Sequence, residues 1–116
     1  MGNAYDLFQE GRSRLRKGMA AQATVALEKA KRLEPAKASI RESLGIAYFR
    51  LRRWVEAEAE FRALLDLSPT DDYAHYALGR TLEKQGRVAE ANGHYKLASS
   101  MNPANGDYAS RIRELG

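Results

Sequence analysis

The sequence predicts an all-α solenoid of seven helices, and three observations carry that expectation. The only three prolines of the 116-residue chain, Pro35, Pro69 and Pro103, are each 34 residues from the next. Gly11, Gly45 and Gly79 take the same step, as do Ala23, Ala57 and Ala91. Helix formers dominate a composition that is 44% apolar and 29% charged, within the range of chains that fold around a core. A fixed period of this size marks an array of small supersecondary units that bury their faces against one another.

The helices are expected at Ala4–Lys17, Ala20–Leu33, Ala38–Leu51, Trp54–Leu67, Asp71–Gln85, Val88–Met101 and Asp107–Leu115. The first two form one unit, divided at Gly18 and closed by Pro35. Gly18 follows a basic helix end and suits a left-handed cap, whereas proline stops a helix and restricts the residue before it. In the second unit Leu44, Tyr48 and Leu51 share one helix face, and Phe61, Leu64 and Leu65 share another. Its dividing position holds Arg52 instead of glycine, so that turn is expected to be tight or strained. The lone tryptophan, Trp54, shares a register with Ala20 and Val88 and reads as packing. Glu56, Glu58 and Glu60 read as a solvated face with a Glu58–Arg62 pair. The third unit starts at Asp71 and Asp72, with Thr70 as a capping candidate, and divides at Gly86. The last helix places Ile112 in the register of Leu44 and Leu78.

Inside the units, a glycine costs about 1 kcal/mol against alanine in a helix. Three at one register point to a close helix crossing. Ala23, Ala57 and Ala91 are expected opposite them, with Leu27, Phe61 and Tyr95 filling the wider gap one turn along.

These residues resemble the tetratricopeptide repeat family over nearly the whole chain. The second unit matches the motif through Leu44, Gly45, Tyr48, Ala57, Phe61 and Pro69. The third does so through Leu78, Gly79, Leu82, Ala91, Tyr95, Ala98 and Pro103, and the first through Leu7, Gly11, Ala23, Leu27, Ala30 and Pro35. The resemblance implies a right-handed α–α superhelix forming one domain over 1–116, with repeats at 4–37, 38–71 and 72–105 and a capping helix at 106–116. Glu10 and Arg14 stand where the family has leucine and tyrosine, as suits a first repeat with a solvated face. With a cap at each end, the chain reads as a complete array.

The resemblance also implies a concave groove lined by the first helix of each repeat. It predicts a protein-interaction scaffold that binds a partner segment of about eight to nine extended residues. Projected onto this sequence, the groove comprises Tyr5, Phe8, Arg12 and Arg16, then Ile46, Phe49 and Arg50, then Tyr73, Tyr76, Arg80 and Lys84. Leu15, Ser39, Glu42 and Glu83 fall on the same stripe. Aromatic and arginine side chains are the types that anchor partners, and arginine holds carboxylates in a two-pronged grip. The expected ligand is therefore an acidic peptide with an apolar or aromatic anchor. The competing reading of Arg16, Arg50 and Lys84 is that helix C-termini attract cations whatever the function. The family's carboxylate clamp falls on Phe8, Arg12, Ser43, Tyr73 and Ala77, which lack its Lys–Asn pair and its basic residues in the third repeat.

Other classes are disfavoured. With no cysteine, the chain has no disulfide, thiol nucleophile or cysteine metal site. No phosphate loop, dinucleotide fingerprint, nucleophile elbow or HExxH motif occurs, so no enzyme and no cofactor is expected. His75 and His94 lie in different helices without ligand spacing and are taken as ordinary, so no metal is expected. The +4 net charge admits an acidic partner, while the many acidic residues and the lack of periodic base-reading positions argue against nucleic acid. The remaining alternatives are an RNA-binding helical repeat and a self-assembling scaffold forming a homo-oligomer. No apolar run suits a membrane span or signal peptide, which makes the cytoplasm the expected compartment.

Overall fold

A computed structural model describes residues 2–115; the two terminal positions of the expected domain, 1 and 116, lie outside the described residues. Seven α-helices follow one another: α1 (Ala4–Arg16), α2 (Ala20–Leu33), α3 (Ala38–Arg50), α4 (Trp54–Leu67), α5 (Asp72–Lys84), α6 (Val88–Met101) and α7 (Gly106–Leu115). Each packs on its chain neighbours, giving an elongated body of 48 × 24 × 21 Å. This is the contact pattern of a solenoid, in which a unit touches only the units beside it.

The turns inside the three repeats are the same motif. Met19 N–H donates to Arg14 O (2.8 Å) and Gly18 N–H to Leu15 O (3.0 Å). Arg53 and Arg52 do the same to Tyr48 and Phe49, and Arg87 and Gly86 to Leu82 and Glu83. These crossed bonds satisfy the last carbonyls of α1, α3 and α5 and require a left-handed residue between helices. Gly18 and Gly86 supply it with φ of 77° and 79°; Arg52 adopts φ 61° in the same place. The middle turn is therefore strained and no tighter than the others. Asp71, not Thr70, caps α5: its Oδ1 accepts from Ala74 N–H at 3.0 Å. Asn3 caps α1 in the same way through Asp6 N–H.

Within each repeat the glycine lies against the bulky residue of the second helix. A Cβ on Gly45 would come within 2.5 Å of Phe61, and one on Gly79 within 2.6 Å of Tyr95. This corrects the expected arrangement, which set alanine opposite the glycine. Side chains on a helix lean toward its N-terminus, so a residue later in sequence covers the crossing point. Phe61, Tyr95 and Leu27 are essentially fully buried, and Ala23, Ala57 and Ala91 sit beside them in one continuous core.

Between repeats the contacts are ionic as well as apolar. Glu60 is buried and accepts from Lys31 Nζ (2.9 Å) and Arg41 Nη1 (3.0 Å), tying α4 to α2 and α3. Lys31 also pairs with Glu28, which accepts the Tyr48 hydroxyl. Glu58 makes the expected pair with Arg62 (2.8 Å), yet it also takes Arg87 (2.8 Å) and Gln85 (3.0 Å) from the next repeat. Glu58 and Glu60 of the acidic run are thus seams between repeats, while Glu56 stays on the solvated face with Arg53. At the far end Tyr108 of α7 donates to Asp72 (2.8 Å) and covers Tyr76 at 5.0 Å between ring centres. Ile112 packs against the core from the same helix.

Candidate functional site

Residues spaced three and four apart fall on one stripe of a helix. On α3 that stripe carries Ile46, Phe49 and Arg50, and on α5 it carries Tyr73, Tyr76, Ala77 and Arg80. The two stripes face each other across a cleft enclosing about 330 Å³, with Phe61 of α4 at its floor. Phe61 reaches the floor because Gly45 leaves it room, so the small residue that closes the repeat also shapes the cleft.

Arg80 spans the cleft. Its guanidinium lies 5.7 Å from the centre of the Phe49 ring, and Nη1 is 3.5 Å from the Tyr76 hydroxyl. Its Nε is buried and finds no hydrogen-bond partner among the described residues. A buried N–H without an acceptor is costly, and a cation over an aromatic face still offers its edge donors to an anion. Arg50 is partly committed: its Nη1 donates to Leu15 O at 2.9 Å, closing the C-terminus of α1. The dipole reading of that position thus has a concrete form, a bond from one repeat to the helix end of the previous one.

Phe49 also meets Trp54 edge-on at 5.0 Å, so the lone tryptophan buttresses the cleft wall. Tyr76 is held between Tyr95 (5.7 Å) and Tyr108. Tyr73 remains 38% exposed at the rim. Burial against the wall, reinforced by the nearby Glu42 carboxylate, pushes its hydroxyl above the ordinary range. Glu42 is itself raised, by burial first and by Asp71 second, with Arg12 opposing. Glu83 does not stand free on the groove stripe: it accepts the Tyr95 hydroxyl at 2.7 Å and approaches Arg111 of α7.

Of the projected groove residues, Ile46, Phe49, Arg50, Tyr73, Tyr76 and Arg80 come together at this cleft. Tyr5, Phe8, Arg12, Arg16 and Lys84 do not line it. Arg12 folds over its own helix neighbour Phe8 at 5.4 Å, Tyr5 is 67% exposed, and Arg16 and Lys84 are exposed at helix ends. Where α3 offers Phe49, α1 offers the core residue Leu15, so no equivalent aromatic wall forms at the first repeat.

One pair escaped the sequence reading. His75 of α5 and His94 of α6 approach with their Nδ1 atoms 3.0 Å apart, and His75 Nε2 lies 3.2 Å from Pro69 O. The ring centres are 5.3 Å apart, which is the nitrogen separation plus one ring radius on each side. The two lone-pair axes therefore point along the same line, the geometry of an N–H···N hydrogen bond. A shared metal would need axes converging off that line. Among the described residues no cluster of three or more metal-ligating side chains occurs, and no helix is long and apolar enough to cross a membrane. The register held the missing signal. His75 stands 34 residues after Arg41 and His94 34 after Glu60, the partners of the ion pair one repeat earlier.

A family model described as tetratricopeptide repeat matches residues 8–72. Superkiller complex protein 3 of Mus musculus is 29% identical over 109 residues, which is 94% of this chain and 7% of that protein. The chain therefore spans a small part of that relative's length. Among solved structures, the first tetratricopeptide domain of Spaghetti (RPAP3) bound to the HSP90 peptide SRMEEVD aligns with a TM-score of 0.93. It is 20% identical and covers 97% of this chain and 90% of its own. The Yersinia enterocolitica type III secretion chaperone SycD, in complex with a peptide of the translocator YopD, aligns at 0.90 with 13% identity. That match covers 96% of this chain and 90% of the chaperone. At these identities the likeness shows the fold, a right-handed superhelix of helix pairs.

Proposed function

Because this chain belongs to the tetratricopeptide repeat family, we propose that it is a protein-interaction module whose α3–α5 cleft holds a segment of a partner protein. The observation that carries this reading is the cleft itself. It pairs an apolar interior of Ile46, Phe49 and Phe61 with Arg80, whose buried Nε lacks an acceptor. Burying an aromatic or aliphatic side chain there removes apolar surface from water, worth about 25 cal/mol per Å². A carboxylate on the same segment meets the outer edge of the Arg80 guanidinium and forms a charge-assisted bond. The ligand is thus an acidic peptide with an apolar or aromatic anchor. The relatives with bound HSP90 and YopD peptides support the general mode. The chemistry of the anchor is argued from this chain's own residues.

Peptide display against the purified chain, with an Arg80→Glu counter-screen, tests the reading. Enriched sequences are expected to combine an aromatic or large aliphatic residue with acidic neighbours. They are expected to bind the variant at least about tenfold more weakly, as for a central hot-spot residue. Equal binding to wild type and variant would remove Arg80 from the site.

A further inference from the structure

We propose that His75 and His94 form an acid-sensitive latch in the third repeat, closed by a proton shared near neutral pH and opened by full protonation. The latch has counterparts at the same register. In the second repeat Arg41 donates through Nε to Pro35 O (3.0 Å) and through Nη1 to Glu60 (3.0 Å). In the third, His75 reaches Pro69 O through Nε2 and His94 through Nδ1. In both repeats a first-helix side chain grips the carbonyl of the inter-repeat proline and the second helix of its own repeat. The first repeat has Leu7 and Ala26 at these positions, an apolar version with nothing to titrate. Among the three, only the histidine version is built on a group whose ordinary charge change lies between pH 5 and 8.

The hydrogen bonds fix the tautomers. Pro69 O can only accept, so His75 Nε2 carries its proton and its Nδ1 presents a lone pair. His94 Nδ1–H must then donate to it. A proton placed on His94 Nε2 leaves both bonds intact. With both rings charged, each Nδ1 carries an N–H and the two meet head-on, so the link opens. Burial holds His94 below its usual 6.5; His75 and Arg62 of α4 push the same way and Glu90 of α6 opposes them. Facing the pair are thus Arg62 from α4 and Glu90 from α6, with Asp71 in the loop whose carbonyl accepts the His75 backbone N–H.

A histidine depressed in the folded state binds fewer protons there than in the unfolded chain, so stability is present above pH 6.5 and falls below it. The carboxylates lowered by their partners, such as Glu28 and Glu58, start to contribute a loss only below their usual 4.5. Glu42, raised by burial, takes up its proton with the opposite sign and favours the folded state as pH drops. Of these shifts, that of His94 alone places a loss between 6.5 and 4.5. Its consequence reaches the cleft because α5 carries Tyr73, Tyr76 and Arg80 on either side of His75; that last step alone rests on the cleft being the ligand site.

The test needs no ligand, so it stands or falls apart from the groove. Thermal unfolding is compared between pH 7.5 and about 5.5, the range in which histidine charges, for three forms of the chain. These are the wild type, His75→Arg/His94→Glu, which copies the second repeat, and His75→Leu/His94→Ala, which copies the first. The wild type is expected to lose at least about 4 °C of Tm on acidification, and each variant that folds less than half of that loss. Equal losses in wild type and variants overturn the latch. Should neither variant fold, the wild-type ring signals decide. The chain has two histidines, and the latch requires one to titrate well below the other with coupled curves. Two independent curves near 6.5 overturn it.

Discussion

Gly79 lies beneath the ring of Tyr95, so close that an added Cβ would sit 2.6 Å from Tyr95 Cε1. The same contact recurs between Gly45 and Phe61. It sets how near the two helices of a repeat approach. Gly79→Ala gains about 1 kcal/mol of helix propensity but overpacks a fully buried ring, which costs typically 1–3 kcal/mol. The expected net loss is about 1 kcal/mol, read as a lower denaturation midpoint with unchanged m. Gly93, which has open space around it on α6, serves as the control: Gly93→Ala is expected to stabilise.

Arg52→Gly removes a left-handed conformation from a residue with a Cβ while leaving the turn's crossed hydrogen bonds intact. The strain relieved is about 1–2 kcal/mol, and the greater freedom of glycine in the unfolded chain offsets up to about 1 kcal/mol of it. A gain of about 0.5 kcal/mol in equilibrium unfolding is expected. A loss would mean that the Arg52 contact over Trp54 at 6.0 Å outweighs the strain.

Glu60 holds two cations from two other helices. Glu60→Ala leaves Arg41 without its carboxylate and Lys31 with Glu28 alone. Removing one member of a buried ionic set costs about 3–5 kcal/mol at full burial; with the two cations about a fifth exposed, about 2 kcal/mol is expected. A double-mutant cycle with Arg41→Ala checks that the loss is a coupling between the two.

Alkaline titration probes the tyrosines. Tyr48, Tyr95 and Tyr108 each donate to a carboxylate, Glu28, Glu83 and Asp72. Burial first, and those hydrogen bonds next, raise all three hydroxyls far above the usual 10.0. A tyrosine raised in the folded state contributes stability that is present below 10.0 and is lost as pH climbs past it. Ultraviolet titration should show these three phenolates appearing together with unfolding, not before it.

The helices were legible because proline, glycine and alanine recur at one period, and each expected boundary falls within a residue or so of the observed one. Arg52 was legible as strain because two glycines shared its register. The facing of Gly79 and Tyr95 was not, since sequence spacing ignores the tilt of side chains along a helix. Glu60 read as solvated because charge alone does not reveal that Lys31 of the preceding repeat and Arg41 of its own converge on it. The cleft was half legible: the stripe of α3 and α5 residues followed from spacing. Its confinement to the second and third repeats depends on Leu15 being buried and on Arg12 lying over Phe8. His75 and His94 looked unrelated until the Arg41–Glu60 pair showed what their register does.

Whether the α3–α5 cleft holds the ligand is answered by an NMR titration of the labelled chain with a display-selected acidic–aromatic peptide. The largest amide and side-chain shifts are expected at Ile46, Phe49, Tyr73, Tyr76 and Arg80. Shifts confined to the outer faces of α2, α4 and α6, with those five residues unmoved, would place the ligand elsewhere and refute the cleft as its site.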